Sequence, residues 1–265
     1  MLDSFDRTID YLRISVTDRC NLRCVYCMPA EGIPLLRHED ILSLEEIARV
    51  ARAAVGLGIR KIRLTGGEPL VRKGILDLVS LLRPIPGLEI LGMTTNGTLL
   101  ATVASELKAR GLDSVNISLD TLDPGRYSAL TRGGRLTDAL SGIDAAVRAG
   151  LPVKINTVVF DGDPEGDLER VAAFCEERGL RHQRIRQYDL AGLKQDQEDY
   201  ERPPRCGDCN RIRLLADGSL KPCLHSDLSV PVDFSDIEES LRTCVRAKPG
   251  RGAACTTLAV GQIGG

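Results

Sequence analysis

Three cysteines fall within eight residues of the stretch VTDRCNLRCVYCMP: Cys20, Cys24 and Cys27. Thiolate is both a nucleophile and a soft metal ligand, and neighbouring charges set how readily it forms. Asp18, Arg19 and Arg23 interleave with these thiols on a segment that reads as loop, where cysteines serve more often as ligands than as core filler. A second set, Cys206, Cys209 and Cys223, lies in CGDCNRIRLLADGSLKPC with gaps of two and thirteen residues. Three thiolates fall one short of the four protein ligands of a structural zinc site. A cubane iron-sulfur cluster accepts three and keeps one iron open for something exogenous. A zinc protein, which would hold zinc without iron or sulfide, and a plain electron carrier, which would need no substrate cations, are the non-enzymatic alternatives.

Length and composition bound the rest. A chain of 265 residues with 43% hydrophobic and 27% charged residues forms one large α/β domain, or one domain with an appendage, and is not a disordered polymer. A net charge of −2 offers no general positive field for nucleic acid, so an anionic ligand would need a local basic cluster. The opening MLDSFDRTIDYLR has acids and no apolar core, so neither export nor a membrane is expected, and a cytoplasmic location is. That compartment keeps thiols reduced, which turns nine cysteines toward ligation rather than disulfides.

The elements that must position these thiols can be read from periodicity. YLRISVT, KIRLTG, EILGMTTN, SVNISLD, PVKINTVVF and HQRIRQYD predict six strands. Amphipathic segments alternate with them; in SLEEIARVARAAVGLG, Ser43 and Glu46 have capping-box spacing while Ile47, Val50 and Ala54 share one face. Strict alternation predicts a parallel sheet with helical crossovers, curled into an incomplete (β/α)6 TIM-type barrel. A doubly wound sheet is the alternative, without a GxGxxG fingerprint to support it. Chemistry in such barrels collects where strands end, and the first cysteines, TGGEP, TTNG and SLD all fall there. The expected organisation is a barrel over 1–190, a polar, proline-bearing linker over 191–205, and an extension over 206–265. In that extension RIRLL and LKPCL flank ADG as a hairpin, and the chain ends in Gly264 and Gly265. Cys175 reads as core, His182 and His225 as packing or surface residues, and Cys244 and Cys255 take no role.

CxxxCxxC with Tyr26 before the last thiol, and GGEP at Gly66 to Pro69, resemble the radical S-adenosylmethionine superfamily. The resemblance implies a [4Fe-4S] cluster on Cys20, Cys24 and Cys27, with S-adenosylmethionine on its open iron. Tyr26, Gly66, Gly67, Glu68, Ser118 and Asp189 are the cofactor-side positions it implies. Within the superfamily, YLRISVTDRCNLRCVYCMP, KIRLTGGEPLVR, TTNG, NISLDTL, VKINTVV and the terminal QIGG are similar to the GTP 3′,8-cyclases of molybdenum cofactor biosynthesis. That implies a second [4Fe-4S] cluster on Cys206, Cys209 and Cys223, an electron donor, and GTP or a related purine triphosphate as substrate. Abstraction of the ribose 3′ hydrogen would lead to attack on guanine carbon 8 and so to 3′,8-cyclo-GTP.

The implied substrate residues are Arg13, Lys61, Arg63, Thr94, Lys154, Arg184, Arg211 and Arg213, with Arg13, Arg211, Arg213, Gly264 and Gly265 closest to catalysis. Their chemistry agrees: three phosphates need several cations, arginine foremost, and strand alternation puts Lys61 and Arg63 on one face. Cations facing inward would be costly without an anion. The chain departs from the family in a short segment before Cys206, in Gln187 where an acid is usual, and in Asp189 where a methionine is usual. A partner or second copy completing the barrel wall would account for the first. The alternative function is a radical enzyme with an auxiliary cluster acting on another nucleotide or on a peptide.

Overall fold

The computed structural model describes residues 1–187, 189–192, 194 and 205–263. The six expected runs form β1 (Tyr11–Ser15), β2 (Lys61–Thr65), β3 (Ile90–Thr95), β4 (Ser114–Ser118), β5 (Val153–Val159) and β6 (Arg181–Arg186). Three further strands follow: β7 (Arg211–Leu214), β8 (Ser219–Lys221) and β9 (Val230–Pro231). All nine share one sheet, ordered β6-β5-β4-β3-β2-β1-β7-β8-β9. From β6 across to β7 every pairing is parallel, and β8 and β9 return antiparallel. The first six strands are laid down in one direction across the sheet. Right-handed crossovers then place the helices on one face, which is the barrel arrangement and not the doubly wound one. The expected hairpin is β7–β8, and it joins the same sheet beside β1.

The crossovers are α1 (Leu44–Gly56), α2 (Ile75–Leu82), α3 (Ala104–Ala109), α4 (Pro124–Thr131), α5 (Leu136–Arg148) and α6 (Asp167–Glu177); α7 (Ile237–Arg246) and the short α8 (Val260–Ile263) follow the hairpin. α1 starts as its sequence predicts. The Ser43 hydroxyl accepts from the Glu46 amide and the Glu46 carboxylate accepts from the Ser43 amide, satisfying two donors that a helix start otherwise leaves open. Ile47, Val50 and Ala54 are buried against the sheet. α7 lies outside the sequence expectation; Asp236 caps it, and it buries Leu241, Cys244 and Val245. Cys244 and Cys175 are thus core residues, and Cys255 sits in a small second core with Leu190, Leu215 and Ile263.

Strand register divides the sheet into two chemically different faces. Leu12, Ile14, Ile62, Leu64, Leu91 and Met93 face the helices and have no exposed surface, each contributing about 1.5–3 kcal/mol of burial. On the other face Tyr11, Arg13 and Ser15 stand level with Lys61, Arg63 and Thr65 on one side and Arg211 and Arg213 on the other. Thr94, Asn116, Lys154, Asn156 and Gln183 continue that face across β3 to β6. The inside of the sheet is therefore polar and cationic while its outside is hydrocarbon.

Candidate active site

The loop leaving β1 carries Cys20, Cys24 and Cys27 to the carboxyl end of the sheet. There they line a cavity with Tyr26, Gly66, Gly67, Glu68, Thr94 and Ser118. Two glycines bring the edge after β2 onto the cysteine loop: the Gly67 and Glu68 amides donate to the Thr17 and Arg19 carbonyls, both at 2.8 Å. Gly66 has φ +147°, and a Cβ on Gly67 would overlap the Arg19 carbonyl. Glu68 is buried and accepts from the Thr95 hydroxyl at 2.7 Å, the Asn96 amide at 2.8 Å and the Leu70 amide at 3.0 Å. Burial pushes its carboxyl up to about 7 against the pull of those three donors. Burial likewise pushes the Cys20 thiol up to about 11, while Cys27 donates to Cys24 and so raises itself and lowers its acceptor. The Tyr26 hydroxyl donates to Asp120 at 2.8 Å, and its ring packs on Phe160 with centroids 5.6 Å apart.

A second cavity holds Cys206, Cys209 and Cys223 together with Arg13, Arg211 and Arg213. Asn156 and Ile185 line both cavities, so the two thiol sets lie in adjoining cavities on the inner side of the sheet, its lumen. Arg7, Asn116, Gln183, Lys194 and Lys248 also line the second cavity without standing out in the sequence, and so does His225, which reads there as a packing or surface residue. Arg7 is locked by Asp3 at 2.6 Å and donates to the carbonyls of Cys206, Pro249 and Gly250. Burial lowers His225 to about 4, so its imidazole is neutral.

Of the expected substrate residues, Arg13, Arg211 and Arg213 line the second cavity and Thr94 the first. Lys61 and Arg63 share the inner face as alternation predicts. Arg63, however, is turned to the Tyr11 hydroxyl at 3.0 Å and the Met93 carbonyl at 2.8 Å. Lys61 and Arg211 flank the Tyr11 ring at 4.9 and 5.1 Å from its centroid. Lys154 donates to Gln183 at 2.8 Å. Arg184 stands level with Thr157, on the face opposite Asn156 and Gln183, and is exposed. Asp189 is exposed and accepts from the Ala191 amide at 2.9 Å, and Gln187 lines the first cavity. Gly264 and Gly265 lie outside the described residues. The tail preceding them enters the lumen: Gly261 lines the first cavity, and the Ile263 carbonyl accepts from Arg213 at 3.2 Å.

The residues fit the cofactors expected of them. N–H groups point at cysteine sulfur in both sets, from Leu22 to Cys20 and from Gly252 to Cys206, each at 3.4 Å. Such donors suit an acceptor-only thiolate. Each thiol set lines a cavity of its own. Among the described residues Thr94 Oγ1, Asn156 Oδ1 and Arg211 Nε are buried without a hydrogen-bond partner. Groups of that kind are costly unless a ligand meets them.

Comparison with known proteins agrees with this geometry. Residues 14–175 match the radical SAM superfamily. The GTP 3′,8-cyclase of Heliobacterium modesticaldum is 44% identical over 305 residues, covering 94% of this chain and 93% of that protein. That of Petrotoga mobilis is 42% identical, covering 89% and 87%. An alignment of 305 positions exceeds this chain's 265 residues, so the relative carries at least 40 residues for which this chain has no counterpart. Among solved structures, Streptococcus suis SuiB bound to S-adenosylmethionine superimposes with a TM-score of 0.69 at 17% identity, over 91% of this chain and 64% of SuiB. The protein anSMEcpe with bound AdoMet gives 0.62 at 16%, over 89% and 82%. These two likenesses show the fold.

Proposed function

The chain belongs to the radical SAM superfamily and, within it, to the GTP 3′,8-cyclases, and from that premise we propose how its own residues divide the work. The enzyme converts GTP to 3′,8-cyclo-GTP, the first step of molybdenum cofactor biosynthesis. Cys20, Cys24 and Cys27 would hold the first [4Fe-4S] cluster, and Gly66, Gly67, Glu68, Tyr26 and Ser118 would hold S-adenosylmethionine beside it. When bound and given one electron by a donor, that pair supplies the hydrogen-abstracting radical. Cys206, Cys209 and Cys223 would hold the second cluster in the extension.

The observation that carries this reading is the pair of adjoining cavities, one lined by Arg13, Arg211 and Arg213 with the second thiol set and the other by the first set. The three arginines hold the triphosphate, supplying forked donors where the anion's charge would otherwise be uncompensated. Arg63 acts one step back, fixing Tyr11 between Lys61 and Arg211. Thr94 and Asn156 turn unmet polar atoms toward the bound nucleotide and cofactor. The tail through Gly261 and Ile263 closes the lumen, excluding water that would quench a radical. The enzyme works in the cytoplasm, where thiols stay reduced.

Anaerobic reconstitution with iron and sulfide, followed by S-adenosylmethionine, reductant and GTP, tests this reading. GTP-dependent 5′-deoxyadenosine together with a cyclised nucleotide, read by mass spectrometry, is the expected result. Cofactor cleavage indifferent to GTP would discard the substrate.

A further inference from the structure

Lys248 is 2% exposed and, among the described residues, has no carboxylate partner. A buried ammonium with no counter-charge is costly, and a lysine has three N–H donors to satisfy. All three are used here. Nζ donates to the Pro222 carbonyl at 2.8 Å, the Arg211 carbonyl at 2.9 Å and Cys209 Sγ at 3.3 Å. The two carbonyls belong to the two arms of the hairpin that carry the cluster thiols: Pro222 immediately precedes Cys223, and Arg211 opens β7 two residues after Cys209.

Arg7, another cation braced against this thiol set, makes a useful contrast. Asp3 neutralises it, and it reaches the Cys206 loop through backbone carbonyls. Lys248 alone of the two sets a charged donor on sulfur. From this geometry we propose that Lys248 is a positioning residue for the second cluster, donating to its Cys209 sulfur and raising its reduction potential. The missing counter-charge of the lysine is then the anionic cluster itself. A cation and an N–H···S bond both favour the more negative, reduced state, which is how hydrogen bonds to sulfur and local charge set cluster potentials. The proposal rests on the reading that Cys206, Cys209 and Cys223 hold a cluster.

The test is a redox titration of the anaerobically reconstituted full chain, followed by electron paramagnetic resonance, for the native protein and for Lys248→Met and Lys248→Arg. Iron and sulfide content is measured first; a native chain that holds only one cluster overturns the cluster assignment and this proposal with it. With two clusters present, Lys248→Met is expected to move one midpoint to a more negative potential and leave the other in place, and Lys248→Arg to restore it. Two unchanged midpoints in Lys248→Met overturn the role of Lys248 while leaving the cluster assignment intact. If Lys248→Met loses the second cluster, the native protein labelled with 15N-lysine decides: pulsed measurement of the reduced second cluster should show coupling to one lysine nitrogen, and its absence overturns the proposal.

Discussion

Arg213 and Ile263, fifty residues apart, are joined where the Arg213 guanidinium donates to the Ile263 carbonyl at 3.2 Å. The bond ties an arginine of β7 that lines the second cavity to the C-terminal tail, and Arg213 is only 5% exposed. If Arg213 holds the triphosphate as proposed, Arg213→Met would remove that charged donor and the anchor of the tail together. Loss of one hydrogen bond to a charged group costs about 1.5–3 kcal/mol, or roughly ten- to a hundredfold in affinity. Anaerobic calorimetry with GTP should show that weakening, and limited proteolysis should release the C-terminus faster than in the native chain. Removal of Gly264 and Gly265 is expected to abolish turnover while iron content and circular dichroism stay native.

Arg184 and Arg211 separate the lumen from the surface. Arg211 lines the second cavity and lies over the Tyr11 ring, whereas Arg184 is exposed on the outer face of β6. Surface charge changes of this kind have little effect, so Arg184→Ala is expected to leave GTP affinity within about twofold. Arg211→Ala should lower it at least tenfold, on the same scale as Arg213. Equal losses from both would place the substrate elsewhere.

Gly67→Ala would press a methyl group into the Arg19 carbonyl, one residue before Cys20. The neighbour is backbone and cannot rotate away, so the edge after β2 and the cysteine loop must part. Overpacking of this kind costs about 1–3 kcal/mol. Because only the first thiol set hangs on that loop, iron and sulfide after reconstitution should fall by roughly half, the second cluster surviving. Full loading of both sites would show that the close approach does not matter.

What was legible in the sequence was local. Ser43 and Glu46 find each other across three residues, the thiol spacings are short, and alternation in KIRLT and YLRIS survives any arrangement of neighbours. What was not legible depends on pairing. RHQRIRQ offers bases on both faces of β6, and only its register with β5 puts Gln183 inside and Arg184 outside. Arg63 reads as a substrate cation until β1 brings the Tyr11 hydroxyl alongside it. Asn116 and Asn156 lie within quoted blocks but have no chemistry of their own there, and Lys248 carries no motif; they matter because strand register or the end of α7 places them beside the second cavity.

Asp120 gives the fold a distinctive pH dependence. One carboxylate oxygen accepts from the Val158 amide and the other from the Tyr26 hydroxyl, each at 2.8 Å. Burial nevertheless raises its carboxyl to about 6, those two donors pulling it down, with Asp163 pushing upward and Arg126 downward. The unfolded chain releases this proton near 3.8, so between there and about 6 the folded chain binds a proton that the unfolded chain does not. The contribution is therefore fully present below pH 3.8 and is lost as pH rises through 6, amounting to a few kcal/mol at about 1.4 kcal/mol per pH unit. Glu68, raised to about 7, carries the same sign a little higher. In Asp120→Asn the amide oxygen keeps the Val158 bond, the amide nitrogen donates to a Tyr26 hydroxyl turned to accept, and nothing titrates. Urea midpoints of the metal-free chain, followed by circular dichroism from pH 4 to 7, should fall less steeply with rising pH in the variant than in the native protein. The Glu68 contribution is common to both and cancels in the difference. Parallel curves would mean that Asp120 is ionised throughout, its two donors outweighing burial.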